Sequence, residues 1–74
     1  MKLPIIYPKD LIKVAQKMGF KEVRQKGSHK TFLHPDGRML TIAFHSSKPI
    51  PPGLLNKIIK QDLRTTREEL AKNL

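Results

Sequence analysis

Pro35-Asp36-Gly37 stands between two short β-patterned runs, and no other feature limits so sharply what this chain can fold into. Proline presets the φ of a turn, and glycine accepts a positive φ. His29 to His34 reads as the strand before the turn. Arg38 to Phe44 reads as the strand after it, with Leu40, Ile42 and Phe44 alternating onto one side. Two such runs joined by a tight turn pair antiparallel. Gly27-Ser28 reads as a second turn, preceded by a weakly patterned strand from Phe20 to Gln25. A three-stranded meander is therefore predicted.

Helices are predicted on both sides of it. Pro8 suits a first helical position and Asp10 complements the positive end of the helix dipole. Leu11, Ile12, Ala15 and Met18 recur at helical spacing, Lys9, Lys13 and Lys17 form a basic stripe beside them, and Gly19 is a left-handed stop. Past the prolines at 49, 51 and 52, Leu54, Leu55, Ile58 and Ile59 share one face of a second helix. Thr66 and Glu69 have the spacing of a capping box for a short C-terminal helix whose apolar contacts are Leu70 and Leu74. The predicted fold class is α+β, in the order α-β-β-β-α plus the short C-terminal helix. The antiparallel sheet carries its helices on one face and leaves the other open.

With 74 residues the chain has room for one core, and residues 1–74 read as a single domain. No cysteine is present, so neither a disulfide nor a thiolate ligand is available. The apolar start (Leu3, Ile5, Ile6) is interrupted by Pro4 and ends at Tyr7-Pro8. It is too short for a signal peptide or a bilayer span, so a cytoplasmic protein is expected, with no membrane partner. Fifteen Lys and Arg face six Asp and Glu, a formal net charge of +9. A field of that size attracts polyanions. Nucleic acid is the partner the charge favours, over an acidic protein covering the basic face or a membrane surface.

The residue types limit the chemistry. His29 and His34 have a ligand-like separation, but an odd offset on a strand sends them to opposite faces, and the six carboxylates are scattered. No metal and no small-molecule cofactor is expected. Walker-type and dinucleotide-binding glycine patterns are absent, and Ser28 points away from its neighbour His29 on an extended strand. What remains is histidine among cations. Arg24, Lys26 and Lys30 surround Gly27-Ser28-His29, and Arg38 is expected to approach across the hairpin. RNA carries its own nucleophile, the ribose 2′-hydroxyl. A neutral imidazole can take its proton while lysine and arginine stabilise the charge growing on the phosphoryl oxygens. Gly27 allows a phosphate close to the backbone.

The residues alone leave alternatives open. A histidine after Gly-Ser can be a turn residue only. His45, beside Ser46, Ser47 and Lys48, is either the acid for the leaving 5′ oxygen or a loop histidine. His34, before the turn, reads as structural. The few aromatics (Tyr7, Phe20, Phe32, Phe44) offer no base-stacking platform, with Phe32 and Phe44 placed as core residues. A non-catalytic RNA-binding module would use the same basic surface.

From Gly27-Ser28-His29 through Phe32 to Arg38, the sequence resembles the HicA (YcfA-like) toxin family, whose signature is G-S-H with an aromatic shortly after. Gly19-Phe20, Arg24-Gln25-Lys26, the block His45, Lys48 and Gly53, and Ile58-Ile59-Lys60-Gln61 extend the resemblance along nearly the whole chain. The resemblance implies a fold similar to double-stranded-RNA-binding domains and activity as an mRNA interferase, an endoribonuclease toxin neutralised by a HicB-type antitoxin. It implies that the catalytic histidine is His29, with His45 on a family position of less certain role. The expected RNA-contacting residues are Arg24, Lys26, Gly27, Ser28, Lys30, Arg38 and Lys48. Pro49-Ile50-Pro51-Pro52 and Leu54-Leu55 depart from the family pattern, which weakens any role for that loop.

Overall fold

A computed structural model of the chain describes residues 5–44 and 47–74. Helix α1 (Pro8–Lys17) begins at the expected proline. The Tyr7 N–H donates to Oδ2 of Asp10 at 3.0 Å, so Asp10 satisfies an orphan donor as well as facing the dipole. Leu11, Val14 and Ala15 are buried, and Ile12 and Met18 pack at the margin. The helix ends in a left-handed Gly19 with φ +104°. A Cβ there would lie 3.0 Å from Nε2 of His34, so glycine serves both the turn and the neighbouring ring.

Strands β1 (Lys21–Lys26), β2 (His29–Leu33) and β3 (Met39–Ala43) form an antiparallel meander in the order β1-β2-β3. Between β2 and β3 the register is regular, pairing His29 with Ala43 and Leu33 with Met39. Between β1 and β2 it shifts by one residue, leaving Val23 as a bulge. The bulge explains why β1 looked weakly patterned: its alternation changes phase halfway along. Residues directly opposite share a face. Lys21, Arg24 and Lys26 therefore lie on the face of Leu33, Thr31 and His29, while Glu22 and Gln25 lie on that of Phe32 and Lys30.

The turn at residues 34–38 ties the far end of this sheet to the helices. His34 Nε2 lies 3.0 Å from the Met18 carbonyl, and its Nδ1 accepts the Asp36 N–H at 3.1 Å. The same Nδ1 lies 2.9 Å from Oδ1 of Asp36, so His34 bridges the end of α1 and the turn. Its ring stands edge-on to Phe20 at 5.1 Å. Arg38 donates to Oδ2 of Asp36 at 2.8 Å and to the Leu63 carbonyl at 2.6 Å, over the face of Phe20. The Arg38 backbone N–H, bonded to Asp36, and then the Arg38 guanidinium hold the Asp36 carboxyl below its ordinary value.

Helix α2 (Pro52–Lys57) runs directly into a π-helical turn (Ile58–Asp62), where a single regular helix was expected. The Leu63 N–H bonds the Ile58 carbonyl at 2.8 Å, one residue further back than in an α-helix. Leu55, Ile58, Ile59 and Leu63 are buried together. Leu54 is not on that face: it is 50% exposed. In α3 (Arg67–Lys72), Thr66 Oγ1 accepts the Glu69 N–H at 3.2 Å. The Glu69 carboxylate turns to Lys72 at 3.5 Å rather than back to the cap. Leu70 is fully buried, but Leu74, expected as its companion, is largely exposed.

The buried side chains form one cluster between the helices and the Phe32–Leu40–Ile42 face of the sheet. Phe44, expected in the core, is only half-buried. The opposite face, carrying His29, Leu33, Met39, Thr41 and Ala43, is exposed. The predicted α+β class and element order are those observed.

Candidate nucleic-acid interface

The open face begins at the hairpin joining β1 to β2. Gly27 has φ +59°, a value suited to the first position of a two-residue hairpin turn, and a Cβ there would meet nothing within 4 Å. Lys26 and His29 are the paired residues on either side of this turn. The Phe44 N–H bonds the Ser28 carbonyl at 3.0 Å and fixes the start of β2 against the end of β3. The His29 side chain is exposed and has no hydrogen-bond partner among the described residues.

Arg24, Lys26, Gly27, Ser28, His29, Thr31 and Thr41 line one open depression of about 480 Å³. It therefore gathers His29 and four of the seven expected RNA-contacting residues. Its floor was not anticipated from the sequence. Thr31 is only 6% exposed, and its hydroxyl meets that of Thr41 at 3.2 Å. Strand alternation was the available signal, since Thr31 stands two residues beyond His29 on the same face. Lys21 extends the row of β1 cations on this face and was also missed.

The other expected contacts lie elsewhere. Lys30 is on the helix side of the sheet, 3.3 Å from Glu22 and 4.6 Å above the Phe44 ring. Arg38, expected to reach His29 across the hairpin, sits beyond the opposite end of the β2–β3 ladder and is engaged with Asp36 and Leu63. Lys48 is exposed at the rim of a different groove, beside the helix side of β3. His45 lies outside the described residues. Among the described residues, no three His, Asp or Glu side chains gather as a metal site, and no helix is long and apolar enough to cross a membrane.

An exposed imidazole with two cations beside it, in a depression open along the sheet, has the form of a polyanion site rather than an enclosed small-molecule pocket. A family model for the HicA toxin of bacterial toxin-antitoxin systems matches residues 8–62, from the first residue of α1 to the last of the π turn. The chain belongs to the HicA toxin family. It is thus the toxin component of a toxin-antitoxin system and has an antitoxin partner. The matched span of this HicA toxin contains the whole sheet and every residue of the depression. Helix α3 falls outside it. The chain has no match among curated proteins.

Proposed function

We propose that this HicA toxin is a metal-independent endoribonuclease, an mRNA interferase with His29 as general base, and that its antitoxin is of the HicB type. The observation that carries the reading is the His29 ring: exposed, unpartnered among the described residues, and directly opposite Lys26 with Arg24 next along the strand. A neutral imidazole there takes the proton of a ribose 2′-hydroxyl. The 2′ oxygen forms a bond to the adjacent phosphorus, and the bond from phosphorus to the 5′ oxygen breaks. The leaving oxygen takes a proton, with His45 as the proposed donor. Lys26 and Arg24 face the charge that grows on the phosphoryl oxygens. The Gly27-Ser28 turn lets the RNA backbone approach closely. Cytoplasmic action on mRNA follows from this reading.

His29→Ala removes an exposed side chain, so its unfolding free energy stays within about 0.5 kcal/mol of the parent. Its RNA cleavage falls by about 10²–10⁴-fold, the range for losing a general base. Parent activity persists in excess chelator and stops on a substrate with deoxyribose at the scissile position. Undiminished cleavage by His29→Ala removes the base from His29. Intact RNA with salt-sensitive binding by the parent protein points instead to a non-catalytic RNA-binding module.

A further inference from the structure

The two edges of the sheet are built differently. Strand β1 is charged (Lys21, Glu22, Arg24, Lys26) and carries the Val23 bulge, two devices that discourage another strand from pairing. Strand β3 is Met39-Leu40-Thr41-Ile42-Ala43, with no charge, no proline and no break in its register. Its hydrogen-bond phase can be read from the two ends of the ladder. The His34 N–H bonds the Arg38 carbonyl and the Phe44 N–H bonds the Ser28 carbonyl. Pairs of that parity are the hydrogen-bonded ones, so Leu40 and Ile42 bond to β2. The N–H and C=O groups of Met39, Thr41 and Ala43 point away from the sheet. None of the backbone bonds made by the loops of the described residues reaches them.

A second feature adjoins this edge on its helix side. Pro8, Leu11, Ile42, Ile50, Leu54 and Ile58 line an apolar groove of about 160 Å³, space for one aliphatic side chain. A strand added to β3 alternates its side chains between the two faces. One set enters this groove. The other lies beside Met39, Thr41 and Ala43 on the face of His29.

We propose that β3 is the docking edge for an extended, acidic, alternately apolar segment of the antitoxin, which adds a fourth strand to the sheet. The charge of +9 selects an acidic occupant and opposes a second copy of this chain. Thr41 lines both the groove and the His29 depression, so the added strand runs along the border of the candidate site. It lies two strand spacings, about 10 Å, from β2. Acidic side chains on its open face then repel the RNA phosphates that approach His29 on β2. This regulatory consequence rests on the proposed RNA-cleaving reading. The docking itself does not.

The test uses the full chain and its antitoxin. Amide hydrogen exchange is followed in the free toxin, in the complex, and with a non-cleavable deoxy-substituted RNA. In the free toxin the Met39, Thr41 and Ala43 amides exchange fast while Leu40 and Ile42 are slow. In the complex the three edge amides slow by about a hundredfold or more, and with RNA they stay fast. Leu54→Glu, at an exposed groove residue, weakens antitoxin binding about tenfold or more through blockage and like charge and leaves RNA cleavage unchanged. Fast exchange at the three edge amides in the complex overturns the proposal whatever Leu54→Glu does, as does failure of the two proteins to associate. Edge protection that rises with toxin concentration alone assigns the edge to a second copy and overturns the acidic occupant. Cleavage measured on the same samples reports separately on the RNA-cutting reading.

Discussion

Asp36 shows how a turn residue chosen for local geometry becomes a sensor of acidity. Its carboxylate accepts the Arg38 backbone N–H and pairs with the Arg38 guanidinium, which in turn reaches the Leu63 carbonyl. Its pKa in the folded chain is thereby depressed. A carboxyl with a depressed folded pKa contributes stability above its unfolded pKa, and that contribution is lost as pH falls through the folded value. Asp36→Ala therefore unfolds more easily than the parent at neutral pH. The two midpoints converge below the ordinary aspartate range in a denaturant series across pH. A constant difference down to strong acid rejects the carboxylate's role. At this scale the sequence was legible where a residue's conformation decides, as at Gly19, Pro8 and Gly27. It was not legible where a long side chain selects among partners. Arg38 and Lys30 are near His29 in sequence, but parity places Lys30 on the other face, and the turn carries Arg38 to Leu63.

The elements follow local rules closely at their ends and tertiary demands in their middles. Helix α3 has six residues, too few to be stable alone. The burial of Leu70 and the Thr66 cap therefore order it together. Thr66→Ala removes the bond to the Glu69 N–H and costs about 1 kcal/mol, read as a lowered urea midpoint with fraying of the first turn of α3. The order of elements was readable because proline or glycine punctuates the boundaries from α1 to α2, Thr66 marks the start of α3, and the strand β3 alternates cleanly. The π turn was not, since Ile58, Ile59 and Leu63 fit an ordinary helical stripe as well as a widened one. Nor was the bulge in β1, where every residue is exposed and no apolar alternation marks the register. The candidate site was half legible: its histidine and flanking cations stand out as residue types, whereas the paired threonines beneath them declare themselves only once the strands are in register.

For the whole molecule, size sets the margin. Domains hold about 0.05–0.15 kcal/mol per residue, so 74 residues hold about 4–11 kcal/mol. Phe32 is fully buried on the central strand of the sheet, and truncating such a ring costs about 3–5 kcal/mol. Phe32→Ala is expected to be largely unfolded at 37 °C, with its cooperative thermal transition by circular dichroism shifted down steeply or lost. His29, exposed on the open face, has no such burden to carry, so its replacement is expected to leave the fold intact. Val23 makes the same separation at the level of chain length. Since the ladder is regular on either side of it, a molecule lacking Val23 keeps Lys26 opposite His29 and Arg24 opposite Thr31. Such a one-residue deletion, ordinarily ruinous inside a strand, is expected to leave RNA cleavage within a few fold of the parent. The strand thus carries a spare link, and the cutting edge of the toxin is indifferent to whether it is there.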